Sequence, residues 1–72
     1  MNGGTQKKAI IIGASEEALH TIKKAHENGL FVTALDGNPA ASGLAAADKA
    51  LVVDISDERA TIEAVRKEDP DF

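Results

Sequence analysis

Four consecutive apolar residues, Ala9-Ile10-Ile11-Ile12, run directly into Gly13, and an amphipathic stretch closed by Asn28-Gly29 follows. No other feature of the chain narrows its fold as much. An unbroken apolar run without alternation marks a strand covered on both faces, as in a parallel sheet. A glycine turn into a helix then carries the chain back for a second strand in the same direction. Within the helical stretch Ala18, Ile22 and Ala25 recur on one face with Leu19 beside them, while Glu16, Lys23, Lys24 and Glu27 fall on the polar side. Ser15 is placed to cap this helix, and Asn28-Gly29 to stop it.

Leu30 to Leu35 reads as the second strand, ended by Asp36 and broken by Gly37-Asn38-Pro39. The small-residue stretch Ala40 to Asp48 suits a short helical turn, and Leu51-Val52-Val53, closed by Asp54, suits a third strand. Ser56 or Asp57 caps a further helix, with Ile62 and Val65 expected inward, Ala60 and Ala64 assisting, and Pro70 ending it. Together these elements predict a Rossmann-like, three-layer α/β/α fold with a short parallel sheet, in the order β-α-β-β-α. Residues 1–6 read as a flexible N-terminus and 7–72 as the folded domain. The Rossmann order places the first strand mid-sheet, with a fourth strand expected to begin at Asp71-Phe72 and to be truncated there. An apolar first strand lacking that neighbour has a bare edge. Self-association through it, or by swapping of termini, is the expected consequence.

The chain has 72 residues, and a domain near this size buries only about 60% of its unfolded surface. Its formal charge is −4, and the eight Lys and Arg are scattered, so no nucleic-acid footprint is visible. Two phenylalanines without Tyr or Trp leave little for base stacking. There is no cysteine, no secretory signal pattern, and no apolar run approaching the ~20 residues of a membrane span. A cytoplasmic protein with no nucleic-acid or membrane partner is expected.

Gly13-Ala14-Ser15-Glu16-Glu17-Ala18 fits the dinucleotide pattern G-x-G-x-x-G/A only as G-x-S-x-x-A. Gly13 suits the tight turn and Ala18 a close helix. Ser15 removes the bare backbone a pyrophosphate approaches, and Glu16 and Glu17 satisfy the positive helix end themselves. The turn is therefore architectural first, and a small-ligand contact second. Asp36 stands 23 residues beyond Gly13, at the position of the fingerprint's acidic residue. With Asn38 and Pro39 it forms a polar turn suited either to hydroxyl or amine groups or to an Asx turn alone. Asp54 reads as a turn before a cap. His20 and His26, six apart on one helix, do not share the face that a metal pair needs. Neither catalytic nor metal-ligating residues are expected.

"IIIGAS" opening a helix, "ALDGNPAASGLAAADKALVVDISD" and the closing "EDPDF" resemble the pre-ATP-grasp domain, the amino-terminal segment of ATP-grasp ligases. The layout is similar to that of the group containing purine-biosynthesis ligases, biotin carboxylase and carbamoyl phosphate synthetase, and it spans about Lys7 to Phe72. Such enzymes use ATP and Mg²⁺ to turn a carboxylate into an acyl phosphate, which an amine or other nucleophile attacks. The resemblance implies that ATP and Mg²⁺ bind in other ATP-grasp domains of a parent chain. This segment would bind no cofactor, be inactive alone, and line the side of the cleft that takes the small-molecule substrate. By position it nominates Gly13, Ala14, Ser15, Glu16, Glu17, Asp36, Asn38 and Pro39 as substrate-binding. Ser15 stands where purine-pathway members often carry glycine.

Two other readings of the residues remain beside this one. An NAD(P)- or nucleotide-binding Rossmann module would use the same turn, against the missing glycine and the two glutamates. A structural or interaction domain would use the fold alone.

Overall fold

The computed structural model describes residues 6–72. Expectations for residues 1–5 lie outside the described part. Three strands, β1 (Lys8–Ile12), β2 (Phe31–Asp36) and β3 (Lys49–Val52), form a parallel sheet in the order β1-β2-β3. Three helices, α1 (Ala18–Glu27), α2 (Ser42–Ala46) and α3 (Glu58–Glu68), follow the strands in turn.

Side chains alternate across the sheet, and two contacts fix which face is which. Ala34 packs with Ala14 and Leu44 in a buried cluster, so its face lies under the α1–α2 side. Thr33, 2% exposed, meets Glu68 of α3 through its hydroxyl, so the opposite face lies under α3. This is the expected three-layer arrangement. In α1, Ile22 is buried and Ala18, Leu19 and Ala25 are half-buried, as the periodicity requires.

The middle strand is β2, with β1 at one border of the three described strands. Val32, Thr33, Ala34 and Leu35 are all buried, whereas burial along β1 falls from Ala9 to Ile12, which is 51% exposed. Among the described residues β1 has only β2 as a strand partner, and with Ile10 and Ile11 half-buried and Ile12 exposed its apolar run is not covered on both faces as the sequence suggests. The tail nevertheless lies where a fourth strand is expected. Asp71 and Phe72 donate to Lys8 O, and Ile10 N–H donates to Phe72 O, which sets Phe72 in parallel register opposite Ala9.

α3 corrects a second expectation. Ile62 is 53% exposed, and no residue of the helix is buried; Ala60, Thr61, Ala64 and Val65 are half-buried. Glu68 anchors the helix instead, accepting from Lys49 Nζ at 2.7 Å and from Thr33 Oγ1 at 3.3 Å. Asp57, one of the two expected caps, accepts from Ala60 N–H, and Pro70 follows a left-handed Asp69 at the other end.

Candidate functional site

The chain turns at the carboxyl ends of the strands lie side by side, the position at which open α/β sheets bind ligands. After β1 the chain leaves the sheet through Gly13, whose φ of +90° is a conformation that a side chain strains. Gly13 N–H still donates to Leu35 O, which holds the turn against β2. Ala14, fully buried, is the pivot of both turns. Its N–H donates to Asp36 Oδ2 at 2.7 Å, and its carbonyl accepts from Gly43 N–H at 2.7 Å.

Asp36 is thus a brace between two turns. Its Oδ1 accepts from Asn38 N–H at 2.8 Å, closing an Asx turn, while Oδ2 reaches across to the first turn. The N–H groups of Asn38 and then Ala14 hold its carboxyl below the usual carboxylate range. Asn38 repeats the device, its Oδ1 accepting from Ala40 N–H. Ser15, Glu16, Glu17, Asn38 and Pro39 are exposed around this brace, and Gly13 and Asp36 are half-buried. The structure therefore brings the two nominated segments, 13–17 and 36–39, into one rim.

Ser15 does not cap α1 as expected. The cap position falls at Glu17 without a side-chain hydrogen bond, because a turn precedes the helix; Ser15 O and Glu16 O accept from Ala18 and Leu19 N–H. Asp54 closes a third turn, accepting from the hydroxyl and N–H of Ser56, which lower its pKa in that order. The turn before a cap expected there is what the structure contains, with Asp57 capping α3 just beyond it. Gly37 lies close to Val53 and Asp54, so the second and third turns touch.

Gly43 is a residue the sequence reading passed over. A Cβ there would lie 2.6 Å from Ala14 O, so only glycine lets α2 rest on the first turn. The signal was present as a lone glycine inside a small-residue helix, where conformational cost without a packing reason is unusual. His26 carries another unforeseen contact, on the opposite rim. Its Nε2 lies 2.8 Å from Asp48 Oδ2, which also accepts from Val32 N–H. That N–H and then His26 hold the Asp48 carboxyl low. His20 is exposed.

Among the described residues no three His, Asp or Glu side chains converge as a metal site would require, and no helix is long and apolar enough to cross a membrane. No protein-family model matches the chain. Over 67 residues, 93% of this chain, it is 31% identical to the formate-dependent phosphoribosylglycinamide formyltransferase of Prochlorococcus marinus (strain MIT 9515), and the matched residues span 17% of that protein's length.

Proposed function

We propose that this chain is the substrate-side, pre-ATP-grasp domain of an ATP-grasp ligase that joins a carboxylate to an amine or other nucleophile through an acyl phosphate. The observation that carries the reading is the likeness to the formyltransferase across 93% of the chain. The braced rim supports it. Turns 13–17 and 36–39 are held to each other by buried or half-buried backbone contacts while their polar groups face outward. Such a rim can fix hydroxyl or amine groups of a small substrate without rearranging, since its carboxylate is already oriented by two N–H groups.

The residues here do not fit ATP or Mg²⁺. Glu16 and Glu17 flank the glycine turn, where no lysine stands, and the three turns gather no cluster of carboxylates. Both groups belong to other domains of the parent in this reading, and no step through them is assigned to these residues. The same features weigh against the nucleotide-binding alternative.

A chimera tests the proposal. Residues 7–72 replace the matched segment of the Prochlorococcus formyltransferase, and the product is assayed for each of its substrates. Retained ATP-dependent turnover, with a changed KM for the non-nucleotide substrate and an unchanged one for ATP, is expected. A folded chimera whose ATP KM alone moves would overturn the assignment of this rim to the other substrate. Calorimetric titration of the 72-residue chain with ATP and with NAD separates the alternative. No binding tighter than about 1 mM is expected, whereas micromolar NAD affinity would favour a dinucleotide module.

A further inference from the structure

Asn28-Gly29, which ends α1, is also a dipeptide prone to attack by a backbone nitrogen on the preceding side-chain amide, because glycine leaves that nitrogen unhindered. The structure holds the pair in a closed cap. Asn28 is the C-cap residue, at φ −96° and ψ 11°, and Gly29 follows at φ +75°. Gly29 N–H donates to His26 O at 3.0 Å and Leu30 N–H to Ala25 O at 3.0 Å, the two bonds of a Schellman motif. Asn28 Nδ2 donates to Lys24 O at 2.8 Å. Closing a ring onto the side chain needs Gly29 N bare and swung toward Asn28 Cβ. Here its N–H is engaged, and the Asn28 ψ turns it away. Yet the lock is slight. Lys24, His26, Glu27, Asn28 and Gly29 are all exposed, and a Cβ on Gly29 would meet nothing within 4 Å among the described residues, so packing does not reinforce the cap there. Gln6 Nε2 adds one exposed bond, to Gly29 O. A helix end held in this way opens locally at a cost below that of unfolding the domain.

We propose that Asn28 is a site of spontaneous deamidation, gated by opening of the α1 C-cap, and that the modification leaves the cap weaker. When the cap opens, Gly29 N gives its proton to a solvent base and attacks Asn28 Cγ. The new N–Cγ bond closes a five-membered imide while the Cγ–Nδ2 bond breaks, and Nδ2 takes up a proton and leaves as ammonia. Water then adds to either imide carbonyl. Opening at the side-chain carbonyl gives aspartate, and opening at the backbone carbonyl gives isoaspartate, in which the chain runs on through the side chain. One water is consumed and one ammonia released, with no oxidant or reductant. Either product loses the donor to Lys24 O and sets a carboxylate beside Glu27 at the negative end of the helix. Isoaspartate also adds a backbone carbon to the turn that delivers Phe31 to its register opposite Lys8. Asn38 does not compete, since Pro39 has no N–H to lose. This inference is independent of the proposed function.

Peptide mapping by mass spectrometry reads the effect, on the 72-residue chain kept at mildly alkaline pH in ¹⁸O-labelled water, with Asn28 scored apart from Asn2-Gly3. The same chain unfolded in urea gives the ungated rate, and hydrogen exchange gives the protection of the Gly29 amide. Aspartate and isoaspartate are expected together at position 28, each with one solvent oxygen, and about tenfold or more slowly in the folded chain than in the unfolded one. One opening frees the same nitrogen for both reactions, so the slowing is expected to match the Gly29 protection within about threefold. Ala25→Gly loosens the last turn and leaves the dipeptide intact; with its fold confirmed by circular dichroism, it is expected to speed both reactions about fivefold. Equal rates in the folded and unfolded chains would overturn the proposal, as would a slowing about tenfold away from the Gly29 protection, or aspartate formed without isoaspartate. A Gly29 amide as protected in folded Asn28→Asp as in the unmodified chain would overturn the weakening of the cap.

Discussion

At the scale of single residues, Ala14 and its partners show how a loop of a phosphate-binding shape serves architecture. Asp36 was legible in the sequence as an acid ending a strand, and its bond to Asn38 as an Asx turn. Its bond to Ala14 was not, because the two residues are 22 apart and only the parallel register of β1 and β2 brings them together. Gly43 shows the same limit, since its need for glycine arises from a contact with a distant backbone. Gly43→Ala places a carbon against Ala14 O and is expected to cost about 2–3 kcal/mol by overpacking. Gly13→Ala meets nothing closer than 4.0 Å and is expected to cost about 1–2 kcal/mol, through backbone strain alone. Denaturant titration separates the two. Equal costs would show that α2 shifts away from the first turn.

Among the elements, the two longer helices differ in how far periodicity predicts them. α1 crosses over between β1 and β2, and its one buried residue, Ile22, is on the face that the pattern selected. α3 carries a similar pattern, yet Ile62 is exposed and Glu68 makes the specific contacts. The covered face of α3 is the one bearing Ala60, Thr61, Ala64, Val65 and Glu68, and Ile62 falls outside it. Helical periodicity specifies a face but not whether a partner for it exists. Ile22→Ala is therefore expected to cost about 2–4 kcal/mol and Ile62→Ala well under 1, by thermal or chemical unfolding. Comparable losses would mean that Ile62 is covered in solution. At the other end of α1, His26 and Asp48 are separated by 22 residues and gave no signal in the sequence. His26→Ala removes a half-exposed pair worth about 0.2–1 kcal/mol, whereas Asp48→Ala also strips the acceptor from Val32 N–H and is expected to cost about 1–2. An Asp48→Ala cost no larger than that of His26→Ala would assign the bond to Val32 no net worth.

Across the whole molecule, small size leaves the fold dependent on polar braces as well as on its narrow core. Four carboxylates, Asp36, Asp48, Asp54 and Glu68, each join separate parts of the chain or close a turn, and each has its pKa lowered. For Glu68 the Lys49 ammonium is the main cause, with Thr33 and Lys8 adding to it. A group whose folded pKa is depressed gives stability that is fully present above its unfolded value and lost as pH falls through the folded one. Stability is thus expected to hold level from neutrality to about pH 5 and to fall as the pH drops below about 4. A flat profile down to pH 3 would show that these braces contribute little net stability.

The strand order was legible because apolar runs alternate with helices and right-handed crossovers leave few topologies. The border position of β1 was legible only from that order, since "AIII" reads the same in the centre of a sheet and at its border; its depth is set by neighbours and not by its own residues. Phe72 already stands in parallel register with Ala9, so about four β-branched residues appended after it would run beside Ile10 and Ile12 and pair their outward groups. Each kcal/mol gained is expected to raise the melting temperature by roughly 4–8 °C in a domain of this size. The same extension is expected to protect the Ile12 amide from hydrogen exchange. A melting temperature left unchanged together with an unprotected Ile12 amide would show that residues after Phe72 do not continue along β1 beyond the tail's hydrogen bonds to Lys8 and Ile10.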